Sequence, residues 1–136
     1  MLLRVEASSV VGKGTQLDVL AWIATALLGV ILLPAGLLKL TQSRQALVAK
    51  GQKWAADYPA GAVRAIGALE VLAVIGLIVP PLIDVAPSLA VAAAVGVVAL
   101  MIGAAVTHAR RRETALIAMN AVIIVLAVLV VIARVA

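Results

Sequence analysis

The chain contains no cysteine. Its side chains therefore offer no disulfide relay, no thiolate metal site and no iron–sulfur ligation. It has one histidine, no metal-ligand spacing and no glycine-rich phosphate-binding loop, so neither a metal centre nor a bound cofactor is expected from motifs. Charge is scarce as well: 12% of residues are charged and 65% are hydrophobic, with a mean hydropathy of +1.24. A soluble domain carries about 25% charged and about 45–50% apolar residues. The shortage excludes a soluble helical bundle, whose outer faces need Lys, Glu and Arg. The net charge of +5 lies mostly in short connections between apolar runs, which argues against nucleic acid as a partner.

What is present is long apolar sequence. Val19 to Leu38, Val85 to Thr107 and Thr114 to Ala133 carry no charged residue, and Ala65 to Ile83 carries only Glu70. About 20 residues at 1.5 Å per residue cross a hydrocarbon core of about 30 Å. The 136 residues thus divide into four spans of one transmembrane domain, at 19–40, 64–83, 85–107 and 114–133, with no room for a soluble domain. The expected fold is all-α, an antiparallel integral membrane four-helix bundle. The opening "MLLRVEASSVVGKGTQLD" is too polar for the apolar stretch of a cleaved signal peptide, so the first span is expected to remain as a signal anchor.

Four spans put both termini and the 2–3 loop on one side, with Arg4, Lys13 and Arg134. The 1–2 and 3–4 loops share the other, with Lys39, Arg44, Lys50, Lys53, Arg64, Arg110, Arg111 and Arg112. Short loops rich in Lys and Arg stay in the cytoplasm, which predicts a multi-pass protein of the cytoplasmic membrane with both termini outside. "HARRRE" then reads as a topology signal, or as contact with anionic lipid.

The connection at 42–59 places Leu47, Trp54 and Tyr58 on one helical face and Lys50, Lys53 and Asp57 on another. That pattern predicts a short amphipathic helix in the membrane surface, anchored by aromatic rings, or a lid over a pocket beneath it. Pro34 predicts a kink late in span 1. Span 3 is rich in Ala, Gly and Val. Ala92, Gly96 and Gly103 share a face suited to close helix contact, within the bundle or between protomers of a homo-oligomer or larger complex.

The polar intrusions share a depth. Glu70 lies six residues from Arg64, roughly 9 Å along the helix, and Asn120 lies eight residues beyond Arg112, roughly 12 Å along. Lys39 and His108 sit at the same end of their spans. Each of the four comes from a different span, and all belong to one leaflet. An ionised carboxylate among apolar side chains costs several kcal/mol unless it is paired or protonated. Lys39 is the expected partner of Glu70, with His108 as a second hydrogen-bond donor and Asn120 as an amide that donates and accepts.

These segments resemble the DoxX-like family of small bacterial four-span membrane proteins. The likeness rests on Gly36 to Leu40 ("GLLKL"), Ile66 to Glu70 ("IGALE") and His108 to Arg111 ("HARR"), in that order along most of the chain. It implies a four-helix bundle in the bacterial cytoplasmic (inner) membrane. It also implies an association with redox metabolism, since some relatives accompany thiosulfate–quinone oxidation or thiol-stress oxidoreductases. Without cysteine, such a role here requires a quinone or a partner protein.

Three functions follow as expectations. The first is an accessory module that binds a quinone or another lipid-like molecule, its head toward Lys39, Glu70, His108 and Asn120. The second is an acid–base enzyme acting on a hydrophobic substrate by isomerisation, epoxide opening or cyclisation. In it Glu70 is the catalytic acid or base, His108 assists, and Lys39 or Asn120 stabilises negative charge. The third is a structural subunit that associates through the Ala92/Gly96/Gly103 face.

Overall fold

The computed structural model describes residues 2–136; for residues 2–11 and 13 only the backbone is described. Helix α1 (Leu2–Thr41) leads into α2 (Arg44–Ala49) and a short 3-10 helix (Lys53–Asp57). Helices α3 (Ala60–Ile83), α4 (Leu89–Arg110) and α5 (Thr114–Val135) follow, with no strand among the described residues. Four helical stretches are long and apolar enough to cross a membrane, 14–41 within α1 and the whole of α3, α4 and α5.

The helix ends differ from the sequence expectation where local chemistry acts. Proline at position 59 serves as an extended N-cap and lets α3 start at Ala60, earlier than 64. Asp84 and Ala86 adopt left-handed conformations, with φ of 53° and 46°, and they delay the next span until Leu89. Helix α1 continues through Pro34 without interruption.

The spans pack as a ring in the order α1, α3, α4, α5, each against two neighbours. Small and branched residues fill the interior: Ala24 and Leu28 from α1, Val74 and Leu77 from α3, Ala94 and Val97 from α4, Ala127 and Val130 from α5. Large apolar side chains point outward on every helix, among them Val30, Leu72, Val95 and Val125. Among the described residues the buried polar side chains are Thr25, Lys39, Glu70, His108 and Asn120. An apolar exterior with polar residues turned inward is the arrangement that lipid, not water, stabilises.

The segment between α1 and α3 is helical in two pieces, not one. Gly51 takes a φ of 96°, a conformation open to glycine at little cost, and the chain turns there. Ser43 caps α2, its hydroxyl accepting from the Ala46 amide at 3.1 Å. Leu47, Trp54 and Ala55 are buried with Val63 at the start of α3, and Tyr58 packs beside them. The aromatic face expected on this segment therefore turns onto the end of the bundle.

Candidate functional site

The site begins where α1 crosses α3. A Cβ added at Gly36 would lie 2.9 Å from the Gly67 carbonyl oxygen and 3.1 Å from the Glu70 Cβ. A Cβ at Gly67 would lie 2.7 Å from the Lys39 Cβ and 2.8 Å from the Gly36 carbonyl oxygen. Each glycine thus leaves space for the stem of the charged residue on the other helix. Small residues allow such close backbone approach between membrane helices. In that space the Lys39 ammonium donates to both oxygens of Glu70, at 2.9 and 3.1 Å. The pair is buried, and the Lys39 Nζ stands 5.6 Å from the centre of the Trp54 ring, a distance at which the ring face attracts a cation.

Beside this pair is a cavity of about 580 Å³ with walls from all four spans and from the linker. Its polar lining includes Lys39, Glu70, Thr107, His108 and Asn120, with Trp54 and Tyr58 from the linker. Ile31, Leu32, Leu100, Met101 and Ile123 make the rest of it apolar. A volume between about 300 and 1,000 Å³, mostly apolar with a few placed polar groups, is typical of small-molecule sites.

Asn120 is 6% exposed, and its Nδ2 has no hydrogen-bond partner. A buried amide left unpaired costs about 1–3 kcal/mol. His108 also lines the cavity, but its Nδ1 lies 3.3 Å from Glu113, outside the spans, and not against Glu70.

The linker is tied over the cavity at several points. Arg44 donates to the Tyr58 carbonyl at 2.9 Å, and Arg111 at the end of α4 pairs with Asp57 at 2.8 Å. That hydrogen bond to Asp57 raises the Arg111 guanidinium further above its ordinary value. Tyr58 and Thr107 share a hydroxyl–hydroxyl hydrogen bond. Thr107 donates its own proton to the Gly103 carbonyl at 3.2 Å, which leaves Tyr58 as the donor between the two. Among the described residues no group of three His, Cys, Asp or Glu is placed to hold a metal ion.

The four residues singled out from sequence therefore meet around one cavity, although only Lys39 and Glu70 touch each other. Arg64 stays exposed, as its angular offset from Glu70 implies. Sequence reasoning reached Tyr58 through the lid reading but passed over Thr107 as a lining residue, and over Thr25. Thr25 is 1% exposed in the other half of α1, and its hydroxyl has no partner. A threonine in an apolar run gives little warning, since its hydroxyl can usually bond to its own helix backbone. The Ala92/Gly96/Gly103 face is not an interior contact of the bundle: all three residues are exposed, and no atom lies within 4 Å of a Cβ added at Gly96 or Gly103. The close approaches are made instead at Gly36 with Gly67, and at Gly76, where an added Cβ would lie 3.0 Å from that of Ala93.

Apolar spans facing outward, with a polar-lined cavity inside their ring, define a small multi-pass membrane protein. The DoxX-like family model matches residues 23–130, and the chain belongs to that family. The match takes in the linker and every polar residue of the cavity. No curated protein and no solved structure compared with the chain matches it.

Proposed function

We propose that the cavity binds a hydrophobic molecule with a neutral polar head, of the quinone class, and that the protein is an accessory module of membrane redox metabolism. The observation that carries this reading is the buried, unpartnered Asn120 amide on α5, whose other lining residues, Leu116, Met119 and Ile123, are apolar. An N–H donor without an acceptor matches a carbonyl oxygen on a ligand. Lys39 is already neutralised by both oxygens of Glu70, so the buried pair favours an uncharged head over a carboxylate or phosphate. The same geometry counts against Glu70 as a free acid or base, because both its oxygens are engaged. Without cysteine, electrons would have to pass through the quinone and a partner protein.

The cluster Arg44, Lys50, Lys53, Arg64 and Arg110 to Arg112 at the linker end supports placing that end in the bacterial cytoplasm, with both termini outside. The cavity then belongs to the cytoplasmic leaflet.

The test is mass spectrometry of small molecules that copurify after gentle extraction, for wild type and Asn120→Leu. The expected result is a near-stoichiometric quinone in the wild type that is lost in the variant. Stripped of ligand, the variant should unfold at the same or a higher temperature than stripped wild type, because removing an unpaired buried amide relieves about 1–3 kcal/mol. Bulk phospholipid alone in both preparations, or a variant that loses its fold, would show Asn120 to be a packing residue and end the proposal.

A further inference from the structure

A second, apolar groove on the flank of the bundle shares the Leu100 wall with the cavity. Helices α3 and α4 approach closely at Gly76 and Ala93. They leave open space at Gly96 and again at Gly103, one and three turns nearer the linker end. Along this stretch runs a groove of about 240 Å³ between Leu69, Leu72 and Ala73 on α3 and Ala93, Gly96 and Leu100 on α4. Leu100 also lines the cavity, where exposed Ala99 and Gly103 form the neighbouring edge. Gly96 and Gly103 of α4 hold no helix against them, and both are exposed.

We infer that this groove holds the tail of the molecule whose head lies beside Asn120, so that the ligand is a tailed isoprenoid lipid entering sideways from the bilayer between α3 and α4. The inference rests on the quinone reading of the cavity and adds to it a tail, a direction of entry and a function for Gly96. Three observations support it together: the buried amide with no partner, the cavity wall shared through Leu100, and the space beside Gly96. The ties Tyr58–Thr107 and Asp57–Arg111, which fasten the linker across its end of the bundle, agree with lateral entry. A tail leaving bulk lipid for the groove gains packing contacts without hydrophobic transfer, so the preference for a tail should be modest.

Trp54 in the cavity wall supplies the probe. The chain has two tryptophans, and Trp22 sits at the opposite end under Arg134; Trp22→Phe leaves Trp54 as the reporter. In lipid nanodiscs, quenching of Trp54 is titrated with short-tailed and long-tailed isoprenyl benzoquinones and naphthoquinones that share the same heads. The Trp22→Phe protein should bind the long-tailed forms roughly three- to tenfold more tightly. Adding Gly96→Leu should abolish that preference and leave affinity for the short-tailed forms unchanged. Val95→Leu, which adds bulk on the lipid-facing side, should leave both affinities as they were, and Gly96→Ala should fall between.

Saturable quenching with a tail preference that survives Gly96→Leu would overturn the groove and leave the head site standing. No saturable quenching by any quinone would remove the head site, and the groove with it. Loss of a dimer by native mass spectrometry in Gly96→Leu, with tail preference intact, would assign the groove to a second copy of the chain.

Discussion

The two halves of this bundle are built from the same four helices on different principles. In the half away from the linker, small apolar residues such as Ala21, Ala24, Ala94, Val130 and Ala127 fill the ring. Its charges gather at the rim, where Arg134 bonds Asp18 at 3.0 Å and lies 4.9 Å from the Trp22 ring centre. In the linker half, Lys39, Glu70, His108 and Asn120 turn inward around a cavity, and a folded linker covers them. Apolar packing closes most of the first half of the ring, with the Thr25 hydroxyl buried among the small residues. The second half carries more buried polar groups and more empty space, which work against stability; the proposed binding site would account for both.

That contrast can be broken most forcefully at the ion pair. Lys39→Met leaves Glu70 buried without its cation and should destabilise the bundle by about 3–5 kcal/mol, read by equilibrium unfolding in mixed micelles. The double variant Lys39→Met, Glu70→Leu should recover most of that loss, since a well-packed apolar pair is often as stable as a buried ionic one. A single variant as stable as the wild type would mean that the pair is not needed to hold α1 against α3.

Glycine provides the next contrast. Gly67→Ala places a methyl group 2.8 Å from the Gly36 carbonyl oxygen. The helices must separate to admit it, at roughly 1–3 kcal/mol by the same unfolding assay. Gly96→Ala meets no atom within 4 Å and should stabilise by about 0.5–1 kcal/mol through helix propensity alone. Equal effects at the two positions would refute the distinction between a crossing glycine and a groove glycine.

The smallest effect is expected at the opposite rim. The Arg134 side chain is 14% exposed but that of Asp18 is 60% exposed, and a pair open to water on one side contributes about 0–1 kcal/mol. Asp18→Asn should therefore shift stability by less than about 1 kcal/mol, with the remaining shift removed by high salt. A larger loss would show that the rim ion pair shares in holding the bundle.

Much of the site was legible because charge in an apolar run is conspicuous. Glu70 stands out at once, its depth selects Lys39 on the consecutive antiparallel span, and the two are bonded as that argument requires. His108 illustrates the limit of reasoning from depth. It occupies the expected level, yet it bonds Glu113, five residues away across a tight turn, because that turn brings the carboxylate back toward the ring. The linker shows a different limit. Helical periodicity placed Leu47, Trp54 and Tyr58 together and remained a sound guide to what is buried. It carried no information about the reversal at Gly51, which directs that face onto the bundle.

By itself the sequence determined the four spans, the apolar exterior and the residues that must turn inward. Burial of backbone groups in lipid leaves helices as the way for such runs to cross, and the cost of a lone buried charge dictates a partner. Only the tertiary structure decided which small residues make contact and which leave space. Gly36 and Gly67 bring two backbones together, whereas Gly96 and Gly103 keep a flank open. A glycine has no side chain to record which of these it does; the difference lies in how far apart the packed helices stand at that level of the bundle.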